Sequence, residues 1–107
     1  MSGFSDREKA FEKKFEHDQD LRFRVQVRRN KLLGLWVGSE LFGMSAPEAD
    51  AYSKEVISSD LEEPGDDDVV RKVMSDIKAR DIDFSEHRLR KQMAEFLNAA
   101  KQQIMKS

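Results

Sequence analysis

The 107-residue chain has no cysteine, two prolines, one tryptophan and one tyrosine. Without cysteine there is no disulfide framework, no thiolate nucleophile and no Cys-ligated zinc site, and a cytoplasmic setting is the expectation. No run of 18 apolar residues occurs. The longest apolar stretch, Leu32 to Val37, sits between Lys31 and Glu40, so a membrane-spanning helix is excluded. The first residues lack the apolar core of a signal peptide. The catalytic and phosphate-binding signatures G-x-S-x-G, G-x-x-x-x-G-K-[ST] and G-x-G-x-x-G are all missing. His17 and His87 have no carboxylates at metal-ligand spacing and read as surface histidines. Asp66-Asp67-Asp68 is no calcium loop, because Val70 and Arg71 stand where a ligand and the invariant glycine belong. An enzyme is therefore not expected, and no cofactor or metal is called for.

What the sequence does have is charge. Charged residues make up 37% and hydrophobic residues 38%, a polar balance for a single small domain, where about a quarter of residues are usually charged. The net charge of −2 conceals an uneven distribution. Residues 1–31 carry nine basic and six acidic side chains. Residues 40–68 carry one basic and ten acidic, and residues 69–107 carry nine basic and five acidic. An acidic middle between basic ends can neutralise itself in a compact fold, or steer two faces towards different partners.

The punctuation predicts four helical segments behind an N-terminal arm. Gly43 suits a helix end, and Ser45, Pro47 and Glu48 suit the start of the next helix. Pro64 and Gly65 break the chain again, and Asp66 to Asp68 favour a helix N-terminus. The stretch Asp81 to Phe84 is the last break, with Ser85 as cap. Val69, Val70, Val73, Met74 and Ile77 share one helical face, as do Leu89, Met93, Phe96, Leu97, Ala100 and Ile104. Ala49, Tyr52, Val56 and Ile57 form a narrower stripe. Residues 21–31 alternate like a strand, but no second alternating segment exists to pair with them. The segment is read as helix, with Leu21, Val25, Leu32, Trp36 and Ser39 near one stripe. The expected fold is all-α: a small four-helix bundle over residues 20–107, with a mobile, partly helical arm over 1–19.

In the arm, Ser5 and Glu8 have capping-box spacing. Phe4, Phe11 and Phe15 lie on one narrow face amid charged residues, including Arg7 and Lys14. Isolated helices of this length are marginal in water. The pattern fits a helix that folds into a partner's groove, or a frayed helix packed on the bundle through its phenylalanines. Acidic residues all round the arm make it a poor membrane-surface helix. A second candidate feature is the basic run Arg22, Arg24, Arg28, Arg29 and Lys31, which could track the phosphates of a nucleotide or nucleic acid. The overall acidic balance favours pairing of this run with the acidic middle segment instead, so nucleic acid is not an expected partner. Gly34 and Gly38 suggest close approach of a neighbouring helix, and Trp36 among leucines reads as a packing anchor.

The stretch Asp6-Arg7-Glu8-Lys9-Ala10-Phe11-Glu12-Lys13-Lys14-Phe15, followed by His17-Asp18 and by Arg28-Arg29-Asn30-Lys31-Leu32-Leu33-Gly34-Leu35-Trp36, resembles the zeta subunit of the alphaproteobacterial F-type ATP synthase. That family comprises small inhibitors of the ATPase. The likeness covers essentially the whole chain and is looser beyond Gly43; Val37-Gly38 departs from the alanine-rich continuation of the family. The resemblance implies a four-helix bundle with a mobile arm that inserts as a helix into a catalytic interface of the ATPase head and stops hydrolysis. The implied partners are the alpha, beta and gamma subunits of the head, at the cytoplasmic face of the inner membrane. The implied contact residues are Phe4, Arg7, Glu8, Phe11, Lys14 and Phe15. Weak adenine-nucleotide binding by the bundle stays open, as do two other readings: a nucleotide- or nucleic-acid-binding adaptor using residues 22–31, and a non-inhibitory structural subunit.

Overall fold

The computed structural model describes residues 3–60 and 65–106, with side chains from Asp6 onward. Among these residues every regular element is a helix, and there is no strand. Helix α1 spans Gly3–His17, α2 Gln19–Trp36, α3 Ala46–Ser59, α4 Asp67–Ala79 and α5 Glu86–Lys106. No described helix is long and apolar enough to cross a membrane.

The helix boundaries have local causes. Asp18 alone separates α1 from α2. Its φ of −99° and ψ of 106° leave the helical region, and its carboxylate accepts from the Leu21 amide at 3.1 Å. Ser45 and Glu48 form a reciprocal capping box at the start of α3. Ser85 accepts from the Arg88 amide at 3.1 Å at the start of α5. Helix α4 ends without glycine: Asp81 takes φ 56°, and the Ile82 amide donates back to the Ile77 carbonyl at 3.2 Å. Asp is one of the few L-residues that tolerates this left-handed conformation. The expected cap at Ser5 is not where the first helix begins; α1 starts at Gly3, and the side chains of Phe4 and Ser5 lie outside the described residues. Pro64 also lies outside them.

Beyond Trp36 the helix continues as a π-helical turn, Val37–Leu41, closed by the Phe42 amide on the Val37 carbonyl at 3.1 Å. Gly43 at φ 66° then reverses the chain into α3.

Helix α2 is central and packs on both α3 and α5. Its alternating segment is resolved by the helical rotation of about 100° per residue. Leu21, Val25, Arg29, Leu33 and Val37 recur every fourth residue and are buried, whereas Phe23 falls on the far side and is 53% exposed. This corrects the expected stripe. Leu32 and Trp36 are half-buried and Ser39 is exposed. With neighbours on two sides, α2 spreads its apolar residues widely instead of concentrating them on one line.

One core joins α2 to α5. Leu33, Val37, Tyr52, Val56, Val69, Val73, Ile77, Leu89 and Met93 form its buried centre. Each fully buried aliphatic side chain contributes about 1.5–3 kcal/mol. Trp36 sits at the edge of this core, with its ring centroid 5.9 Å from Phe84 and 6.2 Å from Phe96 in tilted and edge-on geometry. Tyr52 closes the α3–α4 side: its hydroxyl donates to Asp76 at 2.8 Å, and burial, followed by Asp76, pushes the phenol far above its usual range.

Gly34 on α2 and Gly38 in the π-helical turn let the chain approach α3 closely. A Cβ at Gly34 would collide with the Ser53 Cα and stand 2.9 Å from its Cβ. A Cβ at Gly38 would stand 3.1 Å from the Ala49 Cα.

Candidate functional site

Helix α1 meets the C-terminal turns of α5 through several polar contacts. The Arg7 guanidinium donates to the Met105 carbonyl at 3.2 Å, and Glu8 accepts from the Gln102 amide at 3.2 Å. The Lys101 ammonium pairs with Glu12 at 3.2 Å and stands 4.5 Å above the centre of the Phe15 ring. Phe11 and Phe15 are half-buried here, and a cleft of about 620 Å³, lined by Glu8, Phe11, Glu12, Lys101, Gln102 and Met105, runs between the two helices. The arm therefore rests on α5 without joining the buried core.

Of the arm residues singled out in the sequence, Arg7, Glu8, Phe11 and Phe15 come together on this face. Lys14 is exposed on another side, near His17 and Asp20. The side chain of Phe4 lies outside the described residues.

The basic run does not form one patch. Arg22, Arg24 and Lys31 are exposed, and Arg22 reaches back to the Glu16 carbonyl at 3.2 Å. Arg28 donates to Gln103 at 2.8 Å. Arg29 is buried, at 2% exposure, and faces the acidic middle segment. Its placement removes it from any surface that could bind phosphate.

Around Arg29 the fold builds a polar cluster that periodicity alone does not reveal. Its Nε donates to Asn30 Oδ1 at 2.7 Å and its Nη2 to Asp66 Oδ1 at 2.8 Å. Asn30 in turn donates to Asp60 Oδ2 at 2.8 Å, and Asp60 stands 3.8 Å from the guanidinium. Burial pushes the Asp60 carboxyl above its usual range, and the nearby Asp66 and Asp68 add to this. The Asn30 hydrogen bond and Arg29 pull the other way without prevailing. The cluster ties α2 to both ends of the acidic α3–α4 connection. The signal that could have found it is the reversed charge balance of residues 1–31 and 40–68. Lys101 and Gln102, which hold α1, were also missed, because they lie on the polar flank of the α5 stripe.

Among the described residues no cluster of three or more His, Cys, Asp or Glu side chains is placed to hold a metal ion. The features that stand out are an amphipathic N-terminal helix set against the end of α5, and an ion pair between buried Arg29 and half-exposed Asp66 at the edge of the core. Comparison with curated proteins finds no match. The model of one family, described as ATPase inhibitor subunit zeta, matches residues 1–103, taking in α1 and nearly all of α5, and the chain belongs to that family.

Proposed function

We propose that the protein inhibits ATP hydrolysis by the F-type ATP synthase, with residues 1–19 as the inhibitory arm and α2 to α5 as a four-helix bundle that carries it. The observation that carries this reading is the family match over residues 1–103, which takes in the whole arm. The packing of α1 supports it. None of its described side chains belongs to the buried core, so it can leave the bundle at small cost and bury its apolar face elsewhere.

In this mechanism the arm frays once it leaves α5 and folds again as a helix in a catalytic interface between the alpha and beta subunits, near gamma. Phe4, Phe11 and Phe15 enter the cleft, and Arg7, Glu8 and Lys14 make charged contacts at its rim. The bundle limits how far the arm inserts. Rotation in the hydrolysis direction tightens the wedge, and rotation in the synthesis direction expels it. The protein acts as a regulator, not a catalyst, and works at the cytoplasmic face of the membrane that holds the synthase.

The test is ATP hydrolysis by a purified bacterial ATPase head, titrated with the full chain and with a chain lacking residues 1–19. Inhibition by the full chain alone is the expected result. Inhibition by both forms, or by neither, would overturn the reading. The truncated chain should keep its cooperative melting transition by circular dichroism.

A further inference from the structure

The face of α1 that would enter the ATPase head is already occupied. Lys101 covers the Phe15 ring at 4.5 Å and holds Glu12 at 3.2 Å. Gln102 holds Glu8, and the Met105 carbonyl holds Arg7, each at 3.2 Å. All these α5 groups lie in its last two turns. A helix face cannot rest on α5 and fill a partner's cleft at once, so the two contacts compete.

We propose that the C-terminal turns of α5 form an intramolecular latch for the inhibitory arm, with Lys101 at its centre. The proposal rests on the inhibitory reading above and adds its regulation: the chain sets its own potency through the fraction of molecules whose arm is released.

The contacts suit a latch. The Met105 carbonyl is among the last four of α5, which have no partner within the helix, so Arg7 satisfies a group that the fold otherwise leaves to water. Lys101 makes two contacts with one ammonium: it neutralises Glu12 and covers the aromatic face of Phe15. The contacts are polar and partly exposed, and such pairs hold weakly. A weak latch keeps the arm docked in most molecules while leaving an open fraction. The apparent affinity for the partner is the intrinsic affinity reduced by that fraction. Opening the latch therefore raises potency without changing a residue of the arm.

The experiment compares the full-length chain with Lys101→Glu, Lys101→Gln and Lys101→Arg. Two quantities are read: amide hydrogen exchange over residues 6–17, and the concentration that half-inhibits ATP hydrolysis by a purified bacterial ATPase head. Lys101→Glu is expected to speed exchange in the arm and to lower the half-inhibiting concentration about 3- to 10-fold. Lys101→Arg, which keeps the cation, should match the parent in both. Lys101→Gln gives the same comparison with a smaller perturbation, should charge reversal lower the melting temperature. Unchanged exchange in both Lys101→Glu and Lys101→Gln would overturn the latch. Faster exchange with unchanged or weaker inhibition would overturn it too, since release of the arm would then not limit inhibition. If neither parent nor variants inhibit while exchange still responds, the inhibitory reading fails and takes the gating with it; the exchange data separate that result from failure of the latch itself.

Discussion

Arg29 on α2 and Asp66 at the start of α4 meet at 2.8 Å across the edge of the core. The two sides of this pair differ: the arginine side chain is 3% exposed and the aspartate side chain 45%. The cation is thus the committed partner and the anion the replaceable one.

Replacing Arg29 by Met should therefore cost about 2–3 kcal/mol of stability. That is less than the 3–5 kcal/mol for breaking a fully buried pair, because Asp66 can turn to water. Asp60 cannot do so as freely, and without Arg29 its carboxyl is pushed up further. Below that raised pKa the acid is neutral and the cost shrinks. Urea denaturation at pH 7 and pH 4 should show the smaller loss at the lower pH.

Asp60 itself gives a second pH signature. Its folded pKa is raised above the ordinary 3.8, so the folded state holds the proton more tightly than the unfolded chain does. The sign follows from linkage: the contribution favours folding below the ordinary value and is lost as pH rises through the raised one. Asp60→Asn keeps an acceptor for Asn30 and removes the titration. The stability of the parent relative to Asp60→Asn should fall as pH rises from about 4 towards neutrality. A difference that stays flat over that range would contradict the assignment.

Gly34 on α2 and Gly38 in the π-helical turn should respond unequally to alanine. At Gly34 the new Cβ meets the Ser53 backbone, which cannot swing aside. The expected loss is about 1–3 kcal/mol, the range for overpacking, even after the gain in helix propensity. At Gly38 the neighbours need yield only a few tenths of an ångström, and the substitution should fall within about 1 kcal/mol of neutral. Thermal melts of the two variants decide the order.

Phe11 and Phe15 should matter for inhibition and little for folding. Truncating either to alanine should weaken binding to the ATPase head on the order of 2–4 kcal/mol, as for aromatic anchors at other interfaces. The melting temperature should hardly move, because neither ring is part of the buried core. In Lys101→Glu, where the arm is already released, inhibition should also weaken as salt is added, through screening of Arg7 and Lys14. Unaltered potency in Phe11→Ala would remove that ring from the contact.

How much of this was legible in the sequence differs from element to element. Caps and turns such as Ser45 with Glu48, and Gly43, are local and were read correctly, since the residues that cause them are neighbours in the chain. The apolar faces of α4 and α5 were legible because each turns a single apolar stripe into the core. Helix α2 was not, because it is enclosed from two sides and buries Arg29 on the same four-residue row as Val25 and Leu33. A buried arginine reads as surface until its partners are known, and Asp60 and Asp66 come from more than 30 positions away. The π-helical turn has no periodicity of its own. The arm was visible as an amphipathic helix, but its resting place on Lys101 and Gln102 depends on long-range contacts.

The joint at Asp18 sets the geometry of any motion of α1. Helices of 15 and 18 residues meet there with a single residue between them, bent by its ψ of 106°. A rod of about 22 Å turning on such a pivot moves its tip about 11 Å for every 30° of rotation. Were ψ at that one position to become helical, the two rods would align into a single shaft about 50 Å long. The reach of the N-terminus is thus governed by one backbone torsion.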